Sequence, residues 1–160
     1  MGKYIGESVL RKEDPRLVTG EAKYLEDIQL SGMVHAVVKR SDYAHAKIKN
    51  IDTSEAEKVP GVIGVWTGKD FEDVNPMPCA WQAGGVDNNA NTPRVLEIDK
   101  VTFTGQGVAV VVAEDRNIAE DASSKIVVDY EELPTVVSAE DAIKPGAPQL
   151  HENAPNNICM

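Results

Sequence analysis

Val108–Ala113 is the longest uninterrupted apolar run in the chain and constrains the fold more than any other stretch. A strand with one wet face alternates apolar with polar residues, so a run without polar residues must be covered on both faces. The run is far too short to cross a bilayer. The chain therefore needs a layer on each side of this strand. The next residues can supply one: Asp115 can cap a helix over Arg116–Ser124 that turns Ile118, Ala119 and Ala122 inward. Ile126, Val128 and Tyr130 then alternate with Val127, Asp129 and Glu131 as a further strand. Strand, helix and strand with short connections predict a βαβ crossover, right-handed if both strands share a sheet.

The first half is built of shorter signals. Residues 1–25 are polar, with turn signals at Asp14–Pro15 and Thr19–Gly20. Met33–Arg40 reads as a strand with Val34, Ala36 and Val38 on one face. Ala44, Ala46 and Ile48 alternate with His45, Lys47 and Lys49, the pattern of a half-buried strand. Ser41–Asp42–Tyr43 between them is short enough for a hairpin or a sharp bend, so the two strands are expected to be able to pair. Ser54 and Glu57 form a capping-box signal for a short helix that must end by Pro60–Gly61, before a strand at Val62–Trp66. Asn75–Thr92 dissolves into Pro, Gly and Asn, and a loop of that length in a compact domain is usually functional, partner-ordered or mobile. Ser138–Ile143 predicts a last helical turn, ended by Pro145–Gly146. Residues 147–160 are Pro- and Asn-rich and read as a linker leading elsewhere.

With 26 acidic against 16 basic residues, the net charge is −10, which repels phosphate backbones and anionic lipid. Nucleic-acid binding and membrane insertion are therefore not expected. The acids fall in scattered pairs such as Glu114–Asp115 and Glu131–Glu132, the mark of a solvated face. Two distant cysteines, Cys79 and Cys159, exclude a disulfide framework and a Cys-x-x-Cys site. The first residues carry no apolar stretch resembling a signal peptide, so a cytoplasmic location is expected.

Candidate chemistry is sparse. His45 would share a strand face with Lys47 and Lys49, and no His or Cys lies at metal-pair spacing, so a hydrogen-bonded structural histidine is the better reading. His35 and His151 are scattered. Thr104–Gly105–Gln106–Gly107 precedes a strand rather than a helix, so it reads as a tight turn and not as a phosphate loop. Cys79 in Met77–Pro78–Cys79–Ala80–Trp81 is the one plausible nucleophile, but no basic residue flanks it closely. A cysteine hydrolase using Cys79 is accordingly disfavoured. Trp81 and Cys79 are better candidates for an interface, since a loop tryptophan can anchor a partner, although Trp81 could equally be buried in the core.

Several segments occur in a familiar order. They are Arg11–Tyr24 with Asp27, Ser41-x-Tyr-Ala-His-Ala-x-Ile48 with Asp52, Pro60–Gly61–Val62, and Thr67–Gly68-x-Asp70. Gly105–Gln106 before Val108–Ala109 comes next, then Ala113–Glu114 with Ala119 and Ala122, Val128–Asp129–Tyr130–Glu131-x-Leu133–Pro134, Ala142 and Asn157. Together they resemble the N-terminal domain of the molybdenum-binding large subunit in the xanthine dehydrogenase, aldehyde oxidase and aerobic carbon monoxide dehydrogenase family. The loop at Met77–Trp81 is most similar to the carbon monoxide dehydrogenase-type branch. Gly107 stands where that family usually has proline, which should loosen entry to the following strand.

The resemblance implies an α+β fold, the α/β hammerhead: a mixed sheet with a few short helices, including one strand–helix–strand crossover. It implies a domain over 1–146 and a linker-like tail over 147–160 leading toward molybdopterin domains. It further implies a structural and assembly role in an oxidoreductase complex that uses molybdopterin, iron–sulfur clusters and FAD. The partners would be the remaining molybdopterin domains and the iron–sulfur and FAD subunits. The family's catalytic and cofactor-binding residues lie in later domains, so no catalytic, cofactor or metal residue is expected here and the isolated chain should be inactive. The stop at Met160 suggests an excised domain or a split or truncated large subunit. The alternative is a free-standing binding module that kept the fold and left the enzyme.

Overall fold

The structure is a computed structural model that describes residues 5–77 and 92–159. By its internal contacts the chain divides after Met33, into residues 1–33 and 34–160. The first unit holds α1 (Asp14–Val18), started by Pro15 in its first turn, and a 3-10 turn at Leu25–Asp27. Proline costs nothing at a helix start because that amide has no intrahelical acceptor.

The second unit contains two three-stranded sheets. The first has the order β1–β5–β3, formed by β1 (His35–Arg40), β5 (Gly107–Ala113) and β3 (Val62–Thr67). The second has the order β4–β2–β6, formed by β4 (Lys100–Val101), β2 (Ala46–Asp52) and β6 (Val127–Glu132). Three short helices accompany them: α2 (Ser54–Glu57), α3 (Arg116–Ser124) and α4 (Ala139–Ala142). This is the expected α+β arrangement, with every pairing among the described residues antiparallel.

The doubly covered strand is β5, central in its sheet. Ala109, Val111 and Ala113 face a core completed by Ala119 and Ala122 of α3, Ala56 of α2 and Ile126. The small side chains let α3 approach the sheet closely, and interior packing of that density is where most of the fold's stability arises. Val108 turns to the other side and packs with Ala46 and Val101. Ile51 and Val128 pack against both groups and so join the sheets. Helix α3 spans the expected residues, with Asn117 N donating to the Asp115 carboxylate at 2.7 Å.

Four local expectations change. β1 and β2 do not pair; Ser41–His45 is the sharp bend that carries the chain from one sheet to the other. β5 and β6 likewise lie in different sheets, so the strand–helix–strand unit is not a parallel crossover. On β1 the half-buried residues are His35, Val37 and Lys39, whereas Ala36 and Val38 are exposed, because Val37 meets the core under α3. At α2 the cap is displaced by one residue: Thr53 is the N-cap, and Ser54 N donates to Asp52 Oδ1 at 2.9 Å.

Among the described residues no helix is long and apolar enough to cross a membrane. Residues 147–159 return to the second unit. Lys100 Nζ donates to the Leu150 carbonyl at 2.9 Å, and the Asn157 amide closes the segment.

Candidate functional site

The motif residues converge where the chain passes between the sheets. Ser41 N donates to the Gln106 carbonyl at 2.9 Å, and Gly105 N returns a bond to the Ser41 carbonyl at 2.8 Å. Gly105 sits at φ +94°, a conformation that favours glycine and lets the turn fold back on Ser41. The Ser41 hydroxyl accepts from Tyr43 N at 3.0 Å, and the Tyr43 ring lies 4.9 Å from that of Tyr130 on β6. Burial raises the Tyr130 phenol above its ordinary value, against a hydrogen bond from Ser41 that lowers it.

His45 is 6 % exposed and lies one residue before β2, so it is not on the strand's wet face. Its Nδ1 is 2.6 Å from the Pro134 carbonyl. A carbonyl can only accept, which puts the imidazole proton on Nδ1. Leu133 N donates to the His45 carbonyl at 3.0 Å, so both sides of this residue are tied to the end of β6. The histidine is hydrogen-bonded as expected, but it is buried before β2 rather than on a strand face beside Lys47 and Lys49. Its Nε2 is buried without a hydrogen-bond partner.

Gln106 forms the second brace and is 7 % exposed. Its Oε1 accepts from Thr102 N at 2.7 Å and its Nε2 donates to Glu97 Oε1 at 2.7 Å. The sequence motif contained Gln106 but gave no hint that its amide bridges two segments. Thr67–Gly68-x-Asp70 has an equally structural explanation. Thr67 N donates to Asp70 Oδ2 at 2.7 Å, and a Cβ on Gly68 would lie 2.5 Å from the Glu97 carbonyl oxygen.

Beside the junction lies a cleft of about 670 Å³ whose lining includes Lys47, Glu97, Lys100, Gln106 and His151. Burial holds the His151 imidazole below its ordinary value, and the Lys100 ammonium and His45 act in the same direction. On the strand's exposed face, Lys49 and Lys47 hold the Glu131 carboxylate below the usual range.

This arrangement braces the fold. Ser41 is engaged by the Tyr43 backbone and His45 by a carbonyl, so neither meets the other as nucleophile and base. Among the described residues, no group of three His, Cys, Asp or Glu side chains could hold a metal. Cys159 is free and exposed. Cys79 and Trp81 lie outside the described residues.

Residues 19–134 match the family model described as aldehyde oxidase and xanthine dehydrogenase, a/b hammerhead domain. The chain is 43% identical over 143 residues to the carbon monoxide dehydrogenase large chain of Afipia carboxidovorans, covering 89% of this chain and 17% of that one. It is 41% identical to the nicotine 6-hydroxylase large subunit of Paenarthrobacter nicotinovorans, covering 96% and 19%. Among solved structures, quinoline 2-oxidoreductase from Pseudomonas putida aligns with a TM-score of 0.78 at 42% identity, covering 92% of this chain and 18% of that one. The copper- and molybdenum-containing carbon monoxide dehydrogenase aligns at 0.75 and 40% identity, covering 92% and 18%. The chain thus spans under a fifth of the length of these relatives.

Proposed function

The chain belongs to the aldehyde oxidase and xanthine dehydrogenase family as its a/b hammerhead domain, and on that premise we propose that it is a structural and assembly domain of a molybdenum hydroxylase large subunit. The observation that carries this reading is the use of the motif residues. Ser41 and Gln106 tie the ends of β1 and β5, His45 and Pro134 tie the ends of β2 and β6, and the Gln106 amide holds Thr102 at the end of β4 to the start of β5. A set of residues spent on bracing suits a domain that frames chemistry performed elsewhere.

In such an enzyme the chain's partners are the molybdopterin domains of the large subunit and the iron–sulfur and FAD subunits. Molybdenum, pterin, clusters and flavin are proposed to be held by other parts of the enzyme, since among the described residues no group of three or more His, Cys, Asp or Glu side chains could hold a metal ion. No reaction step is therefore routed through them on this chain. The substrate, whether carbon monoxide, an aldehyde or a purine, is chosen by parts of the enzyme beyond these residues. Residues 147–160 are proposed as the passage toward those parts.

The test is direct. The purified chain should contain no stoichiometric molybdenum and should not support dye-coupled oxidation of aldehydes. Stoichiometric metal together with turnover would sink the proposal. A tagged chain expressed beside the other subunits should co-purify with them; a free-standing module would not.

A further inference from the structure

Residues 147–159 are held to the second unit as a strap with few fastenings. Lys100 Nζ donates to the Leu150 carbonyl, and the Asn157 amide bonds Leu150 N and the carbonyls of Ala142 and Pro148. Ala154 is the one buried residue of the described segment. With so little apolar burial and hydrogen bonds of modest net worth, the strap belongs to the low-stability end of the molecule. A single change of charge beneath it is enough to decide whether it stays down.

His151, partly buried, is where the strap meets titratable neighbours. It lines the cleft of about 670 Å³ together with Lys47 of β2, Lys100 of β4 and Arg94. The carboxylates of Glu97, Asp99 and the strap's own Glu152 line it too, and Glu97 is already bonded to Gln106 Nε2 and Arg94 N. An adjoining cleft shares Lys47, Lys100 and Glu152 with it and is lined by His45, whose Nε2 is buried without a partner. Burial, then Lys100 and His45, hold the His151 imidazole below its ordinary value, so the carboxylates do not reverse the sign. Lifted into water the imidazole regains the ordinary value near about 6.5. It therefore binds a proton more tightly in the lifted strap, and by linkage a fall in pH favours lifting. Opening also admits water to donate to His45 Nε2, relieving a buried acceptor left unmet. We propose that residues 147–159 form an acid-released strap: a proton on His151, in the cleft it shares with Lys47 and Lys100, lifts the segment while both sheets stay folded. This device goes beyond the assembly reading and does not depend on it.

Native-state hydrogen exchange on the full 160-residue chain at pH 7 and pH 5, corrected for intrinsic rates, reads the strap directly. Its reporters are the amides of Leu150, Ala154 and Asn157, which donate to Asn157 Oδ1, the His151 carbonyl and the Ala154 carbonyl. Their protection should fall at least about threefold at pH 5, the factor that half a unit between closed and lifted imidazole supplies. The β5 amides should stay at least about tenfold more protected than these at both pH values. His151→Gln should remove most of the acid-induced fall. In Asn157→Ala, which loosens the strap, the His151 imidazole followed by NMR should titrate closer to its ordinary value than in the wild type. Strap protection that acid leaves unchanged, or that falls equally in His151→Gln, overturns the proposal. So does exchange of strap and β5 amides at one rate at pH 5, because the domain then opens as a single unit. Should His151→Gln not fold, the imidazole titration decides: a value in Asn157→Ala as low as in the wild type overturns the proposal.

Discussion

Gln106 illustrates how a single buried side chain can hold two segments. Both ends of its amide are used, on Thr102 N and on Glu97. Gln106→Ala leaves a buried amide hydrogen and a carboxylate without their partner, which should cost about 2–3 kcal/mol. Urea unfolding should report this as a lower midpoint with an unchanged slope. His151 makes a different prediction. Its imidazole is held below the ordinary value, chiefly by burial, so the unfolded chain takes up that proton more readily than the folded one. Its contribution to stability is therefore fully present above about pH 6.5, the usual histidine value, and is lost as the pH falls through the lower folded value. Thermal melts at pH 7 and pH 5 should show a fall that His151→Gln reduces. A fall of the same size in the variant would assign it to other groups.

At the scale of elements, α3 is held by its cap as well as by its alanines. Asp115→Ala removes the acceptor for Asn117 N and should cost about 1 kcal/mol in a denaturant titration. Asn117→Ala leaves that backbone bond in place and should cost less. Helix α3 and strand β5 were legible in the sequence because their signals are local: a cap, a helical spacing and an unbroken apolar run. The pairing of β1 was not, because its partner β5 is remote in sequence while the adjacent β2 offers an equally good alternation. The inner face of β2 was only partly legible. A register shift between Ile48 and Asn50 rephases the strand so that Ile51 follows Ala46 and Ile48 inward. A hydrogen-bonded histidine was expected at His45, but the strand face shared with Lys47 and Lys49 that argued for it is not where the side chain lies, and its acceptor at Pro134 was not legible, since no spacing rule links residues so far apart.

For the molecule as a whole, the Asn157 amide and the Lys100–Leu150 bond both hold residues 147–159 within the second unit. Asn157 Oδ1 accepts from Leu150 N at 2.9 Å, and its Nδ2 donates to the carbonyls of Ala142 and Pro148 at 3.0 and 2.9 Å. Asn157→Ala should free this segment while the sheets stay folded, so limited proteolysis should cut within 147–156 before any global unfolding. Cleavage at the wild-type rate would mean that the Lys100–Leu150 contact suffices. The strand pairing has a consequence of its own for synthesis. His35 pairs with Ala113 and Ala46 with Glu132, so β1 and β2 leave the ribosome long before their partners exist. At about 5–20 residues per second, the early strands wait for several seconds with open edges. During that interval Val37 and Ile48 are the side chains a nascent-chain chaperone would find, and slowing translation should raise the yield of aggregate rather than of folded domain.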